Sequence, residues 1–196
     1  MRNLEFDEPT HTYKVDGVVK PSVSKKISRV LKNDAPIPEY ALEAVKKGVA
    51  FHKIIRIDLT TGIDHTSIDP KLKGWWESYC LLKEDAKLVP EFVEYPLYDH
   101  KTDTCMTIDY IGKAYSKNVM WDWKTGGLYK SYRAQLGGYH SGIYNVLERN
   151  IPSIACVQLF KDGKKGKVKE YDPIECIRDW DSVNRIYNIL IEKEKK

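Results

Sequence analysis

Hydrophobic and polar positions change period several times along this chain. Near its start, Thr12-Tyr13-Lys14-Val15 and Val18-Val19-Lys20 flank Asp16-Gly17. That dipeptide tolerates positive φ and suits a two-residue turn, so a short hairpin is expected. Ser22 then precedes Val23, Ile27, Val30 and Leu31, an apolar stripe at helical spacing with a serine placed to cap the first turn. The breaker Asp34-Ala35-Pro36-Ile37-Pro38 ends that helix and opens another, carried from Glu39 to about Leu59 by Ala41, Ala44, Val45, Phe51, Ile54, Ile55 and Ile57. Thr61-Gly62 closes it. Asp69-Pro70 starts a further helix bearing Leu72, Trp75, Trp76, Tyr79, Cys80 and Leu82 at three-to-four-residue intervals.

The middle of the chain then alternates. Leu88 to Tyr98, Cys105 to Ala114 and Asn118 to Lys124 read as three strands of an antiparallel meander. Ser131 to Glu148 returns to helix, Ile154 to Lys161 and Lys167 to Tyr171 read as strands around Asp162-Gly163, and Pro173 to Lys193 reads as a terminal helix. Helices, three strands, a helix, two strands and a helix predict a mixed α/β or α+β fold, a central mixed sheet flanked by helices. Residues 1–196 read as a single domain. Within it, 1–87 is expected to be mostly helical with a short hairpin, 88–172 to hold the sheet and its helix, and 173–196 to form the last helix.

Composition narrows the classes. With 196 residues, 42% hydrophobic and 31% charged, the chain suits a soluble globular domain with a core that needs no disulfide or structural metal. The net charge of +4 permits a polyanionic partner without requiring one. The start, Met1-Arg2-Asn3-Leu4-Glu5, lacks an apolar signal core, and no run approaches the roughly eighteen apolar residues of a membrane span. No membrane partner and a cytoplasmic, intracellular location are expected; for a phage-encoded chain that means the host cytoplasm. Cys80, Cys105, Cys156 and Cys176 lie at least twenty positions apart, so reduced, mostly buried thiols are expected and not a local zinc site.

Chemistry concentrates on one strand. In Val119-Met120-Trp121-Asp122-Trp123-Lys124, alternation puts Val119, Trp121 and Trp123 on one face and Met120, Asp122 and Lys124 on the other. An acid and a lysine therefore share a face. Asp69-Lys71, Asp85-Lys87, Asp99-Lys101 and Asp162-Lys164 repeat the spacing, but in loops or at helix edges. Only Asp122 and Lys124 end an apolar strand and lead into Thr125-Gly126-Gly127, where backbone can approach a ligand closely. One strand earlier, Asp109 sits in the apolar run Met106-Thr107-Ile108-Asp109-Tyr110-Ile111, where a carboxylate is costly unless paired or bound to a cation. A turn near Lys113 to Asn118 would set Asp109 roughly opposite Asp122, and a divalent cation would resolve the repulsion of the two acids.

Four marks in one order now stand out: Gly48-Val49-Ala50-Phe51-His52, Ile108-Asp109, Asp122-Trp123-Lys124-Thr125-Gly126 and Gln135-Leu136-Gly137-Gly138-Tyr139. Their order and placement resemble the PD-(D/E)XK nuclease superfamily, in particular its RecB-like exonuclease branch. Thr10-His11-Thr12-Tyr13, Asp16-Gly17 and Pro21-Ser22-Val23 resemble the opening of its phage and bacterial members. The likeness spans most of Phe6 to Phe160. Two departures are visible. Cys105-Met106-Thr107 stands where a glycine often precedes Ile-Asp, and the tight cysteine trio of iron-sulfur members is absent.

The resemblance implies a restriction-endonuclease-like core and a deoxyribonuclease, the alternative being the same fold as a catalytically inactive nucleic-acid-binding or structural module. It implies a Mg²⁺- or Mn²⁺-dependent exonuclease of recombination, repair or phage DNA processing, with DNA as partner, alone or with an oligomer or helper protein. Asp109, Asp122 and Lys124 would be catalytic. His52, Asp109, Asp122 and the Trp123 backbone carbonyl would hold the metal, and hard divalent cations do favour oxygen ligands. Lys124 would act as a point charge on the phosphate or orient the attacking water. Gln135 and Tyr139, four apart on one helix face, together with Arg133 and Lys130, would contact substrate, and Glu94 would be an auxiliary acid. The alternatives are ordinary: strand-end ion pairs for the acids and the lysine, a satisfied core residue for His52, solvated charges for Arg133 and Lys130, and a solvent-facing strand residue for Glu94. Trp75, Trp76 and Tyr79 read as core packing and the basic turn Lys161 to Lys169 as an exposed hairpin, ahead of any role in tracking a nucleic-acid strand.

Overall fold

The computed structural model describes residues 3–8, 10–32 and 38–194, without the side chain of residue 40. Of the breaker expected at 34–38, residues 34–37 lie outside the described residues, and Pro38 immediately precedes the next helix. The elements are β1 (Leu4–Asp7), β2 (Thr12–Val15), β3 (Val18–Lys20), α1 (Val23–Val30), α2 (Glu39–Thr60), α3 (Lys73–Ala86), β4 (Val89–Asp99), β5 (Thr104–Ala114), β6 (Lys117–Lys124), α4 (Tyr132–Leu147), β7 (Ser153–Gln158), β8 (Lys167–Tyr171) and α5 (Pro173–Glu194). Two 3₁₀ turns, His65–Ser67 and Pro70–Leu72, lead into α3.

Local chemistry accounts for most boundaries. Ser22 Oγ accepts from the Lys25 N–H and starts α1, and Asp69 Oδ1 accepts from the Lys71 N–H ahead of α3. Asp16 and Gly17 both take positive φ in the β2–β3 turn, as expected of that dipeptide. The β5–β6 turn is tighter than anticipated. Only Tyr115 and Ser116 separate Ala114 from its partner Lys117, both at positive φ. No glycine relieves that turn; the Tyr115 N–H donates to the Ala86 carbonyl and its hydroxyl to Asp85 at the end of α3, which hold it in place.

The fold is mixed α/β: a five-stranded sheet in the order β4-β5-β6-β7-β8 and a three-stranded antiparallel sheet β1-β2-β3. The larger sheet is antiparallel except where β6 runs parallel to β7, with α4 as the crossover. The N-terminal part holds three helices, and its hairpin has one strand more than the sequence suggested. Leu4 to Asp7 adds to β2 as a third strand, and Leu4 and Phe6 pack with Tyr13, Val15 and Cys105. Four residues of alternation are too short to stand out until a partner strand is present.

The large sheet separates two cores. Met120, Ile154 and Cys156 pack against Leu136, Ile143 and Trp180 on the α4–α5 side. Val119, Trp121, Trp123 and Val157 pack against Phe51, Ile55, Trp75 and Tyr79 on the α2–α3 side. The expected alternation along β6 is therefore present, and Trp75, Trp76 and Tyr79 are core residues. All four cysteines are free thiols, three of them buried. Among the described residues no helix is long and apolar enough to cross a membrane.

One buried cation ties α1 to its surroundings. Lys26 is 1% exposed, and its Nζ donates to the Thr102 carbonyl at 2.7 Å and to Asn184 Oδ1 at 2.8 Å. Burial lowers its pKa to about 8, against the opposing pull of Asp103 and Asp99. Between pH 8 and 10.5 the unfolded chain thus binds a proton that the folded chain has released, so this lysine makes stability rise with pH there, by on the order of 2 kcal/mol. Buried tyrosines whose pKa is raised by burial, Tyr13 and Tyr110 among them, act oppositely above pH 10. Urea melts from pH 8 to 10 should show the rise in the native protein and lose it in Lys26→Met; an equal rise in both would refute the assignment.

Candidate metal centre

The meander loses its regular pairing where the acids sit. In the β4–β5 ladder Val93 pairs with Tyr110 and Tyr95 with Ile108, and the intervening Glu94 and Asp109 are unpaired. Glu94 adopts φ +47, left-handed backbone that a residue with a Cβ rarely takes. Strand phase breaks at the same point: Ile108 packs in the α4–α5 core, whereas Tyr110, two residues on, packs in the α2–α3 core. On the other side, the β5–β6 ladder runs from Ala114↔Lys117 to Tyr110↔Trp121 and stops one position before Asp109 would meet Asp122. The two acids are therefore opposite in register, as expected from the sequence, but on strands that have parted.

That parting lets Asp109 reach several partners. It is 7% exposed, its Oδ2 accepts from the Trp123 N–H at 2.8 Å, and the same oxygen lies 3.5 Å from His52 Nδ1. His52 comes from α2, and its Nδ1 is also 3.3 Å from Glu94 Oε1. His52, Glu94 and Asp109 each offer one ligand atom, and the three atoms lie within 4.8 Å of one another. Gly48, one helical turn before His52, faces β6: a Cβ there would stand 3.3 Å from Thr125 Oγ1. The glycine thus lets α2 approach the end of β6.

Asp122 and Lys124 form an adjoining pair. Asp122 is 2% exposed, and its Oδ2 lies 2.5 Å from Lys124 Nζ. Gln135 links them, donating from Nε2 to Asp122 Oδ1 at 3.4 Å and to Tyr139 Oη at 2.7 Å, and accepting from Lys124 Nζ at 3.3 Å. The Lys124 ammonium also lies 4.2 Å from the centre of the Tyr132 ring, a cation–π contact. Lys124 O accepts from the Leu159 N–H on the β7 side, so strand alternation turns the Trp123 carbonyl towards β5, the side of Asp109.

The charges bias one another. Burial alone would lower the His52 pKa, but Asp109 and Glu94 outweigh it and hold the imidazole well above its usual 6.5. Burial raises Asp122 to about 6, with Lys124 pulling it down and Asp109 pushing it up. Burial would lower Lys124, but Asp122 and Asp109 prevail and raise it, so it remains an ammonium across the ordinary pH range. If the three donors take Mn²⁺, its uptake at pH 7 should expel the proton that His52 holds. Because the raised pKa keeps His52 protonated to higher pH than a free imidazole, the release should fade only as pH passes that value. Calorimetry in two buffers of different ionisation enthalpy measures it; no release at pH 7 would show His52 already neutral.

The structure sorts the remaining residues expected at this site. Gln135 and Tyr139 point to it, but Gln135 is engaged with the acid and lysine themselves. Glu94, expected only as an auxiliary acid, stands among the three convergent donors. Arg133 does not reach the centre: its guanidinium lies 2.9 Å from Asp179 and 3.2 Å from Glu175, two α5 acids that draw it away. Lys130 is exposed in the loop before α4. Tyr132 was not singled out in sequence; its place three residues before Gln135, on the same helix face, was the available signal. Neither a protein-family model nor a curated protein sequence matches the chain. The residues alone therefore carry the functional reading.

Proposed function

We propose that this chain is a divalent-metal-dependent deoxyribonuclease of the PD-(D/E)XK type, RecB-like in its arrangement, which hydrolyses DNA phosphodiesters and acts as an exonuclease. The observation that carries this reading is the convergence of His52, Glu94 and Asp109 donors within 4.8 Å, beside a buried acid–lysine pair at the end of β6. The donor set fits the cation: two carboxylates and one imidazole suit Mn²⁺ or Mg²⁺. Asp122, whose charge both Asp109 and His52 influence, and the Trp123 carbonyl would complete the shell. When bound, the cation would polarise a phosphate and lower the pKa of an attacking water.

The protein's own groups supply the rest. The Lys124 ammonium, held charged by Asp122 and Asp109, would stabilise charge that develops on the phosphate. Gln135 and Tyr132 aim its ammonium. The Trp123 N–H orients the Asp109 carboxylate, leaving its other oxygen available.

Linear and circular, single- and double-stranded DNAs, each incubated with Mg²⁺, Mn²⁺ or chelator, test the proposal. Expected is metal-dependent cleavage, lost with chelator and in Asp109→Ala, with circular DNA resistant. Cleavage of circles would make the enzyme an endonuclease. DNA binding with no cleavage under any metal would leave a binding module of the same fold in its place.

A further inference from the structure

A groove of about 610 Å³ lies between the β1–β2 turn, the β3–α1 junction and Tyr187 of α5. One end adjoins the metal centre. Tyr13, buried in its floor, shares a 2.8 Å hydrogen bond with Thr107, two residues before Asp109. Glu8, in the β1–β2 turn, lies 3.0 Å from Lys53 and 3.9 Å from Arg56, which follow His52 on α2 within about one turn. The charge of Asp109 also reaches His11, opposing the effect of burial on that imidazole.

The lining has a definite chemistry. Lys20 and Lys25 stand among the hydroxyls of Thr10, Thr12, Ser24 and Ser28, and among the described residues no carboxylate lines the groove, although Thr10 Oγ1 donates to Asp7. Lys20 is balanced by Asp103 at 2.9 Å, whereas Lys25 is exposed and has no ion-pair partner among the described residues. Another cavity, of about 650 Å³, has more lysines but is a poorer fit. Glu170 lines it, Lys164 and Lys165 are paired with Asp162 and Asp85, and it borders the β5–β6 turn, at the opposite end of β6 from Lys124.

We propose that the hydroxyl- and lysine-lined groove binds one DNA strand by its phosphates and guides it to the metal centre, the N-terminal sheet and α1 serving as its wall. This rests on the nuclease reading for the direction of the strand, but binding can be measured without it. The Ser24 and Ser28 hydroxyls and the Lys25 ammonium suit successive phosphodiesters.

The test is binding of a fluorescent single-stranded DNA oligonucleotide in chelator, over a range of salt, with Lys25→Glu, Ser24→Glu and the control Lys14→Glu, which makes the same charge change on β2 outside the groove. Lys25→Glu should weaken binding about tenfold and reduce the slope of log K against log salt by about 0.7, the contribution of one phosphate contact on a single strand. Ser24→Glu should weaken binding similarly, and Lys14→Glu by much less. Equal effects of Lys25→Glu and Lys14→Glu would overturn the groove while leaving metal-dependent cleavage intact. Groove-dependent binding without cleavage in Mg²⁺ or Mn²⁺ would keep the groove and remove the nuclease. No binding by the native protein would remove the groove and leave the nuclease reading to the cleavage assay.

Discussion

Lys124→Ala and Asp122→Asn should each lower cleavage of linear DNA by about 10²–10³-fold or more, the usual cost of removing a group that stabilises charge in the transition state. The two variants differ in what they leave behind. Lys124→Ala strands a carboxylate that is 2% exposed, and breaking a buried pair from one side costs roughly 3–5 kcal/mol. Burial already raises Asp122 to about 6 with the lysine present, and without it the value rises further. A carboxyl whose folded pKa exceeds its unfolded one loses stability as pH climbs through that interval. Lys124→Ala should therefore be much closer to native stability at pH 5 than at pH 8. Asp122→Asn should not show that dependence, because Gln135 and the Tyr132 ring still receive the ammonium. Thermal melts at both pH values, alongside cleavage rates on folded protein, separate the chemical loss from the structural one. Native cleavage rates in either variant would disprove the assigned roles.

Gly137→Ala should be the most damaging single-methyl change near the site. A Cβ at that position would lie 2.0 Å from the Cys176 carbonyl oxygen and 2.4 Å from its carbon, both α5 backbone atoms that cannot swing aside. Helix α4 must then separate from α5, at a cost of about 3 kcal/mol or more. Gly137 lies between Gln135 and Tyr139, so the same displacement should also draw Gln135 off Asp122 and Lys124. Gly126→Ala is the control: nothing lies within 4 Å of its Cβ position and its φ is not left-handed, so it should be nearly neutral. Denaturant melts and cleavage rates of the pair decide the matter; a stable, active Gly137→Ala would mean that the helices can part without cost.

Much of this was written in local pattern. The period of β6 put Asp122 and Lys124 on one face because alternation needs only the strand itself, and the fold kept it. The helix spacing of Gln135 and Tyr139 survived for the same reason. Ser22, Asp69 and Asp16-Gly17 mark boundaries through hydrogen bonds and φ preferences that act over three or four residues.

What escaped the sequence depended on distant neighbours. Leu4 to Asp7 is too short to declare itself a strand, and only pairing with β2 makes it one. Arg133 reads as a substrate contact until α5 brings Asp179 and Glu175 within reach of it. Glu94 reads as an auxiliary acid or a solvent-facing strand residue, and its left-handed backbone and the parting of β4 from β5 carry it to His52 and Asp109. The sequence by itself determined the mixed sheet and the acid–lysine face, because both follow from short-range periodicity. Only the tertiary structure decided which three side chains converge, because that depends on how a helix from one part of the chain and two kinked strands from another pack together.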